Sequence, residues 1–150
     1  MAYVSLDSDQ IKKAHKKHKY SKTQVEQLEK CMDEKNGPLF FMKTFMKIQH
    51  PVKGSIPFHP YPYQERLIAS YNDHRFSIAM LPRQTGKTTC ASGFLIWYAM
   101  FRPDSQILIA AHKYAGASDI MSRVRYAYEM LPAWIKAGVT QYNRNSIEFD

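Results

Sequence analysis

Cysteine is scarce in this chain: two in 150 residues, Cys31 and Cys90, far apart. Two distant cysteines build neither the disulfide framework of a small secreted domain nor a zinc site, so a reducing compartment is expected. Long apolar runs are also missing. The longest, Gly93 to Phe101, is too short to span a membrane. The opening Met1-Ala-Tyr-Val-Ser-Leu-Asp7 lacks the basic-then-apolar order of a secretory signal. Acidic residues are outnumbered, 13 Asp and Glu against 21 Lys and Arg, a formal charge of +8. That balance favours a polyanionic partner such as nucleic acid, although ordinary solubility charge gives the same sum. No internal repeat stands out, and no low-complexity tract beyond one lysine-rich stretch. With 45% apolar residues the chain is globular and has room for one domain core, or one and a small appendage.

The chain is expected to divide near residue 50. Residues 1–50 read as a basic, mainly helical region. Lys12, Lys13, Lys16, Lys17, Lys19 and Lys22, with His15 and His18 between them, form a helical or frayed arm. It is either a solvated face or a contact for DNA or a partner. Thr23-Gln-Val-Glu26 has the pattern of a capping box for a helix to about Lys35, with Val25, Leu28 and Met32 as its apolar stripe and Asn36-Gly37-Pro38 as its end. Phe40, Phe41, Phe45, Met46 and Ile48 form an apolar cluster on a short helix and a following strand. Pro51, Pro57, Pro60 and Pro62 mark a loop-rich crossing into residues 51–150.

The second part carries the chemistry. Ile78 to Leu81 reads as a buried strand and Thr88 to Phe101 as a long apolar helix. Gly86-Lys87-Thr88 at the turn between them is the core of a phosphate-binding loop. Such a loop needs inward-pointing backbone N–H groups, a lysine as a mobile cation and a hydroxyl for Mg²⁺. The pattern G-x-x-x-x-G-K-[ST] is incomplete, because Leu81 stands where the first glycine belongs. Arg83 lies inside the loop and adds a cation near the phosphates. The candidate cradle is therefore Arg83, Gln84, Thr85, Gly86, Lys87, Thr88 and Thr89, with Lys87 as the mobile cation and Thr88 on the metal. The implied cofactors are ATP and Mg²⁺.

Upstream, Tyr61-Pro62-Tyr63-Gln64 opens a helix to about Asn72. In many P-loop motor ATPases a glutamine at this spacing reads adenine, since an amide offers donor and acceptor in one plane. Otherwise Gln64 is a helix-start residue facing water. Downstream, Arg102-Pro103-Asp104 stops the loop helix and Gln106 to Ala111 reads as a second buried strand. A helix from about Ser118 to Met130 follows, with Ile120, Val124, Ala127 and Leu131 on one face. Val139–Tyr142 and Ser146–Phe149 read as two short strands about a turn, with Glu148 and Asp150 exposed. The order strand–helix–strand–helix predicts an α/β fold: an incomplete P-loop NTPase-type parallel sheet with a small, mainly helical N-terminal region. Lys87 and His112-Lys113 would then both lie at the carboxyl ends of the strands.

Tyr63-Gln64, Leu81-Pro-Arg-Gln-Thr-Gly-Lys-Thr-Thr89, Ile107-Leu-Ile-Ala-Ala-His-Lys113, Glu129-Met-Leu-Pro132 and Asn145-Ser-Ile-Glu-Phe-Asp150 resemble, in order, the start of the terminase large subunit of contractile-tailed phages. The resemblance covers residues 35 to 150, including Ile48-Gln-His-Pro51, and the R-Q-x-G-K-T-T loop is a marked feature of that family. It implies an ATP-driven motor that pumps double-stranded DNA into a capsid. Gly86, Lys87 and Thr88 would hold phosphates and Mg²⁺, Arg83 would act at the γ-phosphate and Gln64 would touch adenine. It also implies portal protein and small terminase subunit as partners, no membrane, an oligomeric ring, and a place in the host cytoplasm at the portal vertex. One departure is large. The family's apolar strand ending in Asp-Glu, and its nuclease domain, have no counterpart in these 150 residues, so the chain reads as an amino-terminal fragment. The alternatives are a fragment of a helicase-like translocase, or a truncated product that binds nucleotide or DNA without activity.

Overall fold

The computed structural model describes residues 10–50 and 52–150; Pro51 and the opening residues Met1 to Asp9 lie outside them. Five helices and two hairpins follow one another. They are α1 (Lys22–Met32), α2 (Gly37–Phe45), β1 (Lys47–His50), β2 (Gly54–Pro57), α3 (Pro62–Asp73), α4 (Lys87–Phe101), α5 (Tyr114–Glu129), β3 (Val139–Tyr142) and β4 (Ile147–Phe149). Both strand pairs are antiparallel.

The helices form where their apolar residues can meet α4. That helix is rich in Ala, Leu, Ile, Phe and Trp, and it packs on α2, α3 and α5. Trp97 is fully buried, and its indole N–H donates to the Cys31 carbonyl at 2.8 Å. This bond satisfies the one polar atom of a large apolar ring. Phe41, Met42, Phe45 and Met46 come from one side of residue 50, and Phe58, Ile68, Cys90, Ile96, Tyr128 and Leu131 from the other. The core is thus continuous across the division near residue 50, which falls within the β1–β2 hairpin. Burial pushes the Cys31 thiol up to about 12 and the Cys90 thiol up to about 11, so both behave as small apolar residues.

The apolar cluster at 40–48, the helices over 62–73 and 87–101, the stripe Val124–Ala127–Leu131 and the final hairpin all stand where the sequence puts them. Other expectations need correction. The capping box of α1 is Ser21 with Gln24, two residues ahead of Thr23, and it is reciprocal: each side chain meets the other's backbone N–H. The helix stops at Met32. Val25 and Met32 face outward and Cys31 is the buried residue, because α2 covers that side. Asn36-Gly37-Pro38 opens α2, with proline in its first turn, where a missing N–H costs nothing. Helix α5 begins at Tyr114, ahead of the expected start near Ser118.

The parallel sheet is the largest difference. Fold class stays a mixture of helices and short strands compatible with α/β, but residues 76–82 and 105–111 carry no ladder. Phe76, Ile78, Met80 and Leu108 are more than 80% exposed. The described residues offer only these two apolar segments to a parallel ladder. Two such strands with bare edges are marginal by themselves, since parallel strands need cover on both faces.

The lysine arm carries no helix from Gln10 to Ser21, and only Lys22 enters α1. Residues 10–15 run through turns and a bend, with a parallel bridge from Lys13 to Val139.

Candidate phosphate-binding loop

Helix α4 starts at Lys87 with Gly86 as its N-cap, and no side chain caps it. The first N–H groups of a helix have no internal partner, and they attract anions. Ahead of them the backbone alternates. Gln84 (φ +64°) and Gly86 (φ +74°) are left-handed and Thr85 between them is not. Alternating hand turns successive N–H groups to one side and makes an anion-binding nest. Glycine is required at 86 for two reasons. Its φ disfavours a side chain, and a Cβ there would lie 2.6 Å from the Gln64 Nε2. Glutamine at 84 adopts the same region with a Cβ in place, which stores strain at the loop apex.

The loop is held from below and from within. Gln64 is 5% exposed, in the first turn of α3. Its Nε2 donates to the Thr85 carbonyl at 3.0 Å and its Oε1 accepts from the Tyr61 N–H at 2.9 Å. The Tyr63 hydroxyl donates to the same Thr85 carbonyl at 2.8 Å. Tyr61 stacks on Tyr63 at 5.9 Å and is exposed. Gln64 is therefore neither a water-facing residue nor a free amide: both ends of its side chain serve the loop and the turn before α3. The sequence marks the aromatic-plus-glutamine element but not Tyr63 as a loop anchor. The tyrosine–proline–tyrosine alternation before a helix start is the signal that could have indicated it.

Lys87 extends back over the loop. Its Nζ donates to the Pro82 carbonyl at 3.1 Å and lies 3.5 Å from that of Leu81. The Thr85 hydroxyl donates to Pro82 as well, at 3.0 Å. The ammonium is thus held by the backbone at the start of the loop. Arg83 and Gln84 are exposed at the apex, and Thr88 is half-buried on the first turn of α4. Thr89 turns aside into a cavity of about 810 Å³ between α4, α5 and β1. Phosphate oxygens fit this arrangement: a nest, an uncapped helix start, one lysine and one arginine lie together. For Mg²⁺ the loop offers the Thr88 hydroxyl. Among the described residues no group of three His, Cys, Asp or Glu gathers to hold a metal. His112 and Lys113 are exposed at the start of α5, and no described hydrogen bond joins them to the loop.

No helix among the described residues is long and apolar enough to cross a membrane. Residues 78–150, which include the loop, α4, α5 and the final hairpin, match the family model described as terminase large subunit, T4likevirus-type, N-terminal. The match supports a role in phage DNA packaging. It starts within the exposed apolar segment ahead of the loop and runs to Asp150, so it rests on the part of the chain that holds the cradle. Over residues 78–150, just under half of the chain, the protein is therefore similar to the N-terminal part of terminase large subunits.

Proposed function

We propose that this chain is the nucleotide-binding part of a phage DNA-packaging motor that uses ATP hydrolysis to move double-stranded DNA. The observation that carries the reading is the left-handed alternation at Gln84 and Gly86, set at the uncapped start of α4 within the segment that matches the terminase family. In this reading the N–H groups of residues 84–88 hold the β- and γ-phosphates. Lys87 leaves the Pro82 carbonyl for a phosphate oxygen, an exchange of a neutral acceptor for a charged one. Arg83, exposed at the apex, closes on the γ-phosphate and stabilises the charge that builds there. Bound Mg²⁺ neutralises phosphate charge, and Thr88 is the residue here that would hold it. Gln64 and Tyr63 keep the loop shaped through Thr85. If Gln64 also reads adenine, it must release one of its two present bonds. Duplex DNA, a portal protein, a small terminase subunit, a ring of subunits and the portal vertex in the host cytoplasm belong to the same proposal.

Lys87→Ala tests it. Lys87 belongs to no core cluster, so the variant is expected to fold as the parent does. ATP affinity measured by calorimetry should drop by at least about tenfold, the loss of one charge-assisted bond. Equal affinity in the two proteins overturns the assignment. A polypeptide of residues 1–150 should release phosphate only at background rate, because no apolar strand in it ends in paired acidic residues to orient the attacking water. Turnover near ~1 s⁻¹ would refute that statement.

A further inference from the structure

The lysine arm is pinned along the final hairpin, and the pinning builds a cleft. Four backbone carbonyls and one carboxylate fix it. The Val139 N–H donates to the Lys12 carbonyl at 2.9 Å, and the Lys12 ammonium donates to the Lys136 carbonyl at 2.8 Å. Lys136, 4% exposed, donates from its ammonium to the carbonyls of Gln10 at 2.7 Å and Glu129 at 2.8 Å, above the Tyr128 ring. At the turn, where His15 has φ +57°, its N–H donates to the Asp150 carboxylate. Between this strap and the turn after α5 lies a cleft of about 670 Å³. Lys12, Lys13, Lys16 and His18 line one wall, and Ala133 and Lys136 the other, with no carboxylate among the described residues that line it. Lys13, Lys16, His18 and Ala133 are exposed.

We propose that this strap–hairpin cleft is a docking surface for the phosphate backbone of duplex DNA. The cations stand on a fixed track, so a rigid polyanion meets them without first ordering a tail. The two interior ammonium groups, Lys12 and Lys136, are engaged by carbonyls and hold the track. The exposed Lys13 and Lys16 remain to meet phosphates. Among the described residues, the acidic groups near the strap are engaged elsewhere: Asp150 by His15, and the Glu129 carboxylate by the Tyr142 hydroxyl. The choice of DNA among polyanions rests on the packaging reading above. The surface itself is separate from the phosphate-binding loop.

The probe is a fluorescein-labelled 30-base-pair duplex of mixed sequence, titrated without nucleotide, so that neither reading's failure implies the other's. Affinity should be independent of sequence and fall with salt. K13Q/K16Q should flatten the log–log salt slope by about 1.8, at about 0.9 per phosphate lost. Ala133→Glu places a carboxylate on the wall that holds no part of the arm, and should weaken binding about fivefold or more, whereas Ala133→Gln should not. Unchanged thermal unfolding of each variant confirms that only the surface has changed. Binding unaffected by Ala133→Glu would mean a loose lysine tail and overturn the cleft. Displacement of the duplex by polyglutamate at equal charge concentration would point to an acidic protein partner and overturn DNA as the occupant.

Discussion

Gly86→Ala is the most informative single change at the loop. Two separate costs meet there. The left-handed backbone at φ +74° penalises any Cβ by roughly 1–2 kcal/mol. The new Cβ would also stand 2.6 Å from the Gln64 Nε2, closer than packed atoms tolerate, so the amide must move and release Thr85. A buried hydrogen bond lost in this way costs about 0.5–1.5 kcal/mol. The sum is about 1.5–3.5 kcal/mol in urea unfolding. Gln64→Ala alone should cost about 1–3 kcal/mol, since it leaves the part-buried Thr85 carbonyl and Tyr61 N–H with one partner fewer. In the double variant the clash is gone and the lost bond is counted once, so the two effects should fall short of additivity by about 0.5–1.5 kcal/mol. The assay is a double-mutant cycle by urea unfolding, with ATP affinity measured on the same four proteins. Additivity within about 0.3 kcal/mol would refute the clasp between α3 and the loop.

Two further outcomes follow from the core. Trp97→Phe should destabilise by about 2–3 kcal/mol in urea, because it leaves the buried Cys31 carbonyl without its donor and opens space around α4. A change under about 0.5 kcal/mol would show that the bond is not formed. Stability should fall as pH rises from 9 towards 11. Cys31, Cys90 and Tyr128 are raised by burial to about 12, 11 and 12 from 9.0, 9.0 and 10.0, so in that window the folded state holds protons that the unfolded state has lost. Lys136, lowered by burial from 10.5, pulls the other way, but it is one group against five, since burial raises Tyr71 and Tyr142 as well. A urea midpoint that stays level or rises over this range would contradict the burial of these groups.

The loop and its helix were legible because their signals are local. Gly86-Lys87-Thr88 needs a left-handed turn before a helix, and an apolar run without proline from Thr88 to Phe101 continues it. The clasp on Thr85 was half legible: Gln64 and its aromatic neighbours attract notice, but their acceptor is a backbone carbonyl, which has no residue identity to read. The same reason hid the strap. Lys12 and Lys136 look like solvated charges, and only the fold places carbonyls where their ammonium groups end. The helix ends shifted where local rules compete, as when Ser21 displaced Thr23 as cap and Asn36-Gly37-Pro38 served as a start. The parallel sheet failed on a non-local requirement. Ile78 and Leu108 have the composition of buried strands, but a strand needs neighbours, and a segment's own residues do not say whether neighbours are present.

The buried ammonium of Lys136 also divides the lysines of this chain into two chemical populations. Amine-reactive reagents attack the free base, and trypsin needs an accessible side chain. An amine at 4% exposure that donates to two carbonyls is out of reach of both. Lys13, Lys16, Lys17 and Lys19 stand open. Brief acylation followed by peptide mapping would therefore mark the outer lysines first and Lys136 last, and the lag at Lys136 would report, residue by residue, how often the strap lets go.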